Sequence, residues 1–102
     1  MKTFKDLIFE KHMISKGIER LPFAMRQRWA NAKQATLTFD NGYGVSIVFG
    51  EAFYSNGIDT YELAILKDGK LCYDTYITDD VMGWLTEEQV TDIMKKVQGL
   101  KD

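Results

Sequence analysis

The chain has one cysteine, Cys72, one histidine, His12, and one proline, Pro22. A single cysteine forms no disulfide within the chain, and with a single histidine it leaves too few nitrogen and sulfur ligands for a structural zinc site. The longest uncharged apolar stretches are of strand length, far short of the ~20 residues that cross a bilayer. The opening residues, Met1-Lys2-Thr3-Phe4-Lys5-Asp6, followed by Glu10 and Lys11, put charge where a secretory signal needs an apolar run. A cytoplasmic location without a membrane partner is therefore expected. No set of residues amounts to a recognisable catalytic, metal or nucleotide site, so neither an enzyme nor a cofactor is expected.

What is present suits one α+β domain. A chain of 102 residues is too short for two separate cores, and a fold of this size buries roughly 60 to 70% of the surface its unfolded chain exposes. The composition, 45% hydrophobic and 27% charged, argues against disorder throughout. The net charge of −2 is unevenly spread. Residues 1–34 hold eight Lys or Arg against three Asp or Glu, and residues 35–102 hold five against twelve. Such asymmetry marks either a surface for acidic partners such as nucleic acid, or a basic N-terminal segment lying on an acidic body.

Two hairpins dominate the pattern. Ala35, Leu37 and Phe39 alternate with Thr36, Thr38 and Asp40, and Tyr43, Val45, Ile47 and Phe49 alternate with Gly44, Ser46 and Val48, the period of a sheet with one buried face. Between them, Asn41-Gly42 predicts a type I′ turn. After a loop from Gly50 to Asp59, in which Ser55-Asn56-Gly57 reads as exposed, Tyr61, Leu63 and Ile65 form one face of a third strand over Thr60–Leu66. Asp68-Gly69 turns the chain into a fourth strand over Leu71–Tyr76. Residues 34–76 thus read as a four-stranded antiparallel meander.

Ile77 to Leu85 reads as a turn or short helical segment with apolar anchors. Thr86-Glu87-Glu88-Gln89 is a capping box opening a helix over 86–100, whose Val90, Ile93, Met94, Val97 and Leu100 form one stripe to lie across the sheet. Residues 1–33 suggest one or two short helices. The first is carried by Phe4, Leu7 and Ile8 and ends near Lys11, before the break at Gly17. The second starts at Pro22 and runs to about Ala32, with Met25 and Trp29 one turn apart. The alternative for this stretch is a partly ordered arm.

Few constellations point to chemistry. Asp74, Asp79 and Asp80 are the densest acidic group, but their spacing matches no EF-hand loop, and a capped turn at Thr78 or Asp79 accounts for them. His12 and Cys72 are the residues suited to acid–base or nucleophilic roles near neutral pH, yet nothing in the sequence brings them together. Gly42 and Gly44 superficially resemble a phosphate loop, but the chain there passes from strand to strand, so a turn at Gly42 and a bulge or a packed aromatic ring at Gly44 explain them. Two binding readings remain. Phe53, Tyr54, Tyr76 and Trp84 are large side chains of the kind that anchor protein interfaces, and an open meander leaves strand edges through which a homodimer can form. Lys16, Arg20, Arg26, Arg28 and Lys33, with Trp29 among them, form the nucleic-acid alternative, against which stands a pI of about 5.4.

The series Asn41-Gly42-Tyr43-Gly44-Val45-Ser46, Tyr61-Glu62-Leu63-Ala64-Ile65-Leu66-Lys67-Asp68-Gly69-Lys70-Leu71, Ile77-Thr78-Asp79-Asp80-Val81 and Leu85-Thr86-Glu87-Glu88-Gln89-Val90 resembles a family of short proteins encoded in bacteriophages and prophages. The likeness covers residues 34–100, and Met13–Lys33 is longer than that pattern. The resemblance implies no activity or site residues. Taken with the absence of catalytic constellations, it leads to the expectation of a non-enzymatic accessory protein in the cytoplasm of a bacterial host that binds an unidentified host or phage protein, modulation of a host or defence factor being one role such binding could serve.

Overall fold

A computed structural model describes residues 1–101. A short 3-10 turn, Phe4–Asp6, precedes β1 (Glu10–Lys11) and α1 (Met13–Lys16), and a second 3-10 turn, Ile18–Arg20, precedes α2 (Phe23–Trp29). Then follow β2 (Lys33–Thr38), β3 (Tyr43–Phe49), β4 (Tyr61–Lys67), β5 (Lys70–Leu71), β6 (Met82–Leu85) and α3 (Glu87–Gln98). The strands form one antiparallel sheet in the order β1-β2-β3-β4-β5, with β6 also on β4. The expected α+β class, an antiparallel sheet under a C-terminal helix, is the observed one.

Strand alternation sends Ala35, Val45, Ile47, Leu63 and Ile65 to one face, and the register sets Ala35 beside Ile47, Ile47 beside Leu63 and Val45 beside Ile65. The α3 stripe of Val90, Ile93, Met94 and Val97, with Leu100 beyond it, closes over that face, and all these side chains are buried. Burial of each large one contributes about 1.5–3 kcal/mol. The capping box forms as the sequence predicts: Gln89 N–H donates to Thr86 Oγ1 at 3.2 Å, and Thr86 N–H donates to Gln89 Oε1 at 2.9 Å. At the other end of α3, the Asn41 amide donates to the carbonyls of Val97 (2.9 Å) and Leu100 (3.0 Å), tying the first hairpin to the helix.

The two turns differ in kind. Asp68 and Gly69 take φ of 53° and 81°, the pair of positive angles a type I′ turn requires. In the first hairpin only Gly42 is positive, at 85°, and its N–H donates to Phe39 O at 3.1 Å. This is a longer turn closed by a glycine bulge, because Asn41 spends its side chain on α3 and on Tyr43 N–H (3.1 Å) and keeps a negative φ. No aromatic ring accounts for Gly44. A Cβ there would stand 2.5 Å from the Leu37 carbonyl oxygen, so the close approach is to the paired backbone.

The expected fourth strand is cut short. Cys72 N–H still bonds Ile65 O at 2.9 Å, but the chain then leaves the sheet, and Cys72 donates its thiol to Asp74 Oδ1 at 2.8 Å. The reason is competition for one edge. Continuing the β5 register would set Tyr73 and Thr75 along β4 where β6 pairs instead, with Met82 beside Leu63 and Leu85 beside Tyr61. The stretch read as a turn or short helix therefore contains a strand.

The N-terminal third also departs from expectation. The first segment is a single 3-10 turn, closed by Thr3 N–H on Asp6 Oδ2 (2.8 Å), after which the chain runs extended. Extension lets Leu7 and Phe9 both reach the core alongside Phe4, whose ring packs on Phe9 and Tyr61. Residues 1–11 thus belong to the body, fastened to α3 by Lys2 N–H on Gln98 Oε1 (2.8 Å) and Phe4 N–H on Thr91 Oγ1 (3.0 Å). Residues 12–32 form a helical excursion. It is held at its base by His12 N–H on Ala32 O (2.8 Å) and Ser15 Oγ on Ala30 O (2.8 Å). Pro22 stands immediately before α2, which ends at Trp29, short of the expected Ala32.

Candidate protein-binding face

The loop between β3 and β4 is built to hold the Tyr54 ring outward and the Phe53 ring inward. Ser55, expected on the surface, is buried. Its hydroxyl donates to Thr60 O at 2.6 Å and accepts the N–H groups of Gly50 (3.2 Å) and Gly57 (3.1 Å). Asn56 Oδ1 accepts from the amides of Ile58, Asp59 and Thr60 at 2.9 to 3.0 Å. These short polar side chains replace the sheet partners the loop backbone lacks, which stiffens an eleven-residue connection. Tyr54 N–H is taken by Glu62 Oε1 at 3.0 Å.

Strand β6 completes the face. A Cβ at Gly83 would lie 2.4 Å from Tyr54 Cβ, so only glycine admits Tyr54 at this distance. Trp84 N–H then donates to Tyr54 O at 2.8 Å. To make that bond Trp84 takes a φ of 56°, a left-handed conformation rare for so bulky a residue. The register irregularity between β4 and β6 falls at the same place. Tyr54 and Trp84 remain 58% and 59% exposed, with ring centroids 6.5 Å apart. Together with Arg28, Glu51, Phe53 and Glu62 they line a hollow of about 420 Å³.

Phe53, Tyr54 and Trp84 are thereby brought together. Phe53 faces inward, its ring edge-on to Trp29 at 5.2 Å and against His12 at 5.2 Å, so it anchors the excursion to the loop. Tyr76 is 79% exposed on the segment between β5 and β6 and lines no part of the hollow. Reading the sequence alone left Gly83, Glu62 and the Ser55 clip out of the site. A glycine directly before an exposed tryptophan was the available signal.

The basic set does not gather into one stripe. Arg26 is turned onto its own segment, donating to Leu21 O and Glu19 O at 3.0 Å each. Arg28 donates to Glu51 O at 3.3 Å, and Trp29 is occupied by His12 and Phe53. Lys16 lines a groove with Gln34 and Thr36, whereas Lys33 lies beside Phe4, Phe9, Phe49 and Tyr61, on the opposite face by strand alternation. Arg20 is exposed at the end of the second 3-10 turn.

The remaining reactive groups are apart. Cys72 is buried against the core, and its hydrogen bond to the Asp74 carboxylate pushes the thiol pKa up, away from a reactive thiolate. His12 sits at the base of the excursion, where burial lowers its pKa and Nδ1 accepts Ile14 N–H at 3.2 Å. Thr78 Oγ1 accepts Asp80 N–H at 3.1 Å, the capped turn expected there. Among the described residues no three His, Cys, Asp or Glu side chains converge as metal ligands, and no helix is long and apolar enough to cross a membrane. Compared with known proteins, the chain matches no family model, no curated protein and no solved structure.

Proposed function

We propose that this chain is a non-enzymatic accessory protein, of the phage or prophage kind its motifs resemble, that binds another protein through the Tyr54–Trp84 face. The observation that carries the reading is Trp84 itself. A tryptophan held at positive φ costs about 1–2 kcal/mol, and here the backbone strain coincides with an exposed ring instead of a buried one. Unfavourable backbone geometry that the surrounding structure enforces is characteristic of binding positions. Tryptophan, tyrosine and arginine are also the residues that most often carry interface energy, and all three line this hollow. The nucleic-acid alternative draws less support, since Arg26 and Arg28 are engaged with backbone carbonyls and Lys16 and Lys33 lie on different faces.

Affinity capture from bacterial lysate, run in parallel with the wild type and Trp84→Gly, tests the reading. A protein retained by the wild type and lost with the variant is the expected result. Capture that is indifferent to Trp84 and to Tyr54→Ala removes it.

A further inference from the structure

Four aromatic rings from distant parts of the chain meet at one hollow. Tyr61 is their centre, its ring 5.0 Å from Phe4, 5.7 Å from Phe9 and 5.3 Å from Phe49, at tilts of 61°, 37° and 39°. All four are half-buried, and with Lys33 they line a hollow of about 180 Å³. A cavity of ~150 Å³ among apolar side chains takes up benzene, so this one has room for a single six-membered ring and a short substituent. It shares no residue with the Tyr54–Trp84 hollow.

The charges around this hollow are sorted by sign. Lys33 stands beside Phe49 in the β2–β3 register, and Lys11 stands directly opposite Lys33 in the β1–β2 register. Because His12 N–H bonds Ala32 O, alternation makes Lys11 and Lys33 a non-hydrogen-bonded pair, the kind whose side chains come closest. Like charges so placed repel. Glu10, between Phe9 and Lys11, pairs with Gln34 and projects to the other face of the sheet. Both lysines are exposed, and Lys11 also borders the groove beside Gln34. At the opposite end of the hollow, burial first and then the charges of Glu87 and Asp59 push the Tyr61 pKa up. The acidic groups thus gather at the Tyr61 hydroxyl and the basic ones beyond Phe49.

We propose that this hollow binds a small aromatic carboxylate, its ring held among Phe4, Phe9, Phe49 and Tyr61 and its anionic group at Lys33, with Lys11 behind. An apolar pocket with one well-placed polar group is the usual form of a small-molecule site, and tilted rings are the arrangement in which aromatic groups attract one another. A carboxylate at Lys33 relieves the repulsion between the two lysines. A cation there adds a third positive charge, and a neutral ring leaves the pair as it is.

Titration of the full chain with phenylpropionate, followed by the amide chemical shifts of Phe49 and Tyr61, tests this. Saturation with a dissociation constant of roughly 0.3 to 3 mM is expected for a ligand of this size. Phenylpropionamide, of the same shape without the charge, should bind roughly three- to tenfold more weakly, and phenylpropylamine more weakly still. Lys33→Met keeps the apolar stem and removes the charge. It should bring the acid down to the affinity of the amide and leave the amide's own affinity unchanged. Lys11→Met should weaken the acid in the same direction by less. Both lysines are exposed, so the far-UV spectrum of either variant should match the wild type. No saturable shift up to about 10 mM, equal affinity for the acid and the amine, wild-type binding of the acid by Lys33→Met, or shifts at Tyr54 and Trp84 in place of Phe49 and Tyr61 overturns the proposal.

Discussion

Trp84 breaks a local rule that every neighbouring residue obeys. In an ordinary strand position alanine is preferred to glycine by roughly 0.5–1 kcal/mol, because glycine loses more backbone freedom on folding. At a φ of 56° the order reverses, since any Cβ is strained there and glycine is not. Trp84→Gly should therefore be more stable than Trp84→Ala by about 1 kcal/mol, as read from paired urea denaturation curves. The reverse order would mean that the backbone relaxes when the indole is removed, and that the strain belongs to the ring's contacts. Nothing in the stretch Val81-Met82-Gly83-Trp84-Leu85 announces the angle. It arises because Trp84 N–H is drawn to Tyr54 O, a contact between residues thirty positions apart.

At the scale of elements, local signals were decisive where one element satisfies itself. The α3 stripe and its capping box are legible because helix bonds run within the segment. The Asp68-Gly69 turn is legible because its angles demand those residues. Strands depend on partners, which is why Leu71–Tyr76, with a good alternating pattern, lost its place to Met82–Leu85 on the β4 edge. The excursion of residues 12–32 was similarly opaque, since its attachment rests on His12, Ser15 and Trp29 meeting distant or backbone partners.

That attachment should be sensitive to acid. His12 caps α1 with a neutral Nδ1, and burial lowers its pKa in the folded state. The unfolded chain, with a histidine pKa of about 6.5, takes up the proton first as pH falls. The stability contributed by His12 is thus fully present above that value and is lost as the pH drops through the lower folded value. Hydrogen exchange at the Ile14 amide, relative to Leu63 in the core, should accelerate on acidification below about pH 6. In His12→Asn, whose side chain caps without titrating, the relative acceleration should be absent. An unchanged ratio in the wild type would place the proton elsewhere.

For the molecule as a whole, the sheet and the helix are joined at one end through a single amide. Asn41 donates to both Val97 O and Leu100 O, at the negative end of the α3 dipole. Asn41→Asp keeps the shape but removes both donated bonds and turns a carboxylate toward those carbonyls. A loss of about 2–4 kcal/mol is expected, measured by thermal or urea unfolding above pH 6, where the new carboxylate is charged. A loss below about 1 kcal/mol would show that water substitutes for the amide.

The amino-acid sequence alone determined the layers of this protein: three strands by period-2 burial, one helix by its stripe and caps, and the absence of any pattern suited to a zinc site or a membrane-spanning helix. Those properties follow from neighbours a few residues apart, and local sterics and periodicity suffice to specify them. The tertiary structure decided which strand holds the β4 edge, that Tyr54 and Trp84 stand together, that the basic residues are scattered, and that Phe4, Phe9, Phe49 and Tyr61 meet beside Lys33. Each depends on hydrogen bonds and close approaches between distant segments, and competition among such partners is settled only once the chain is folded.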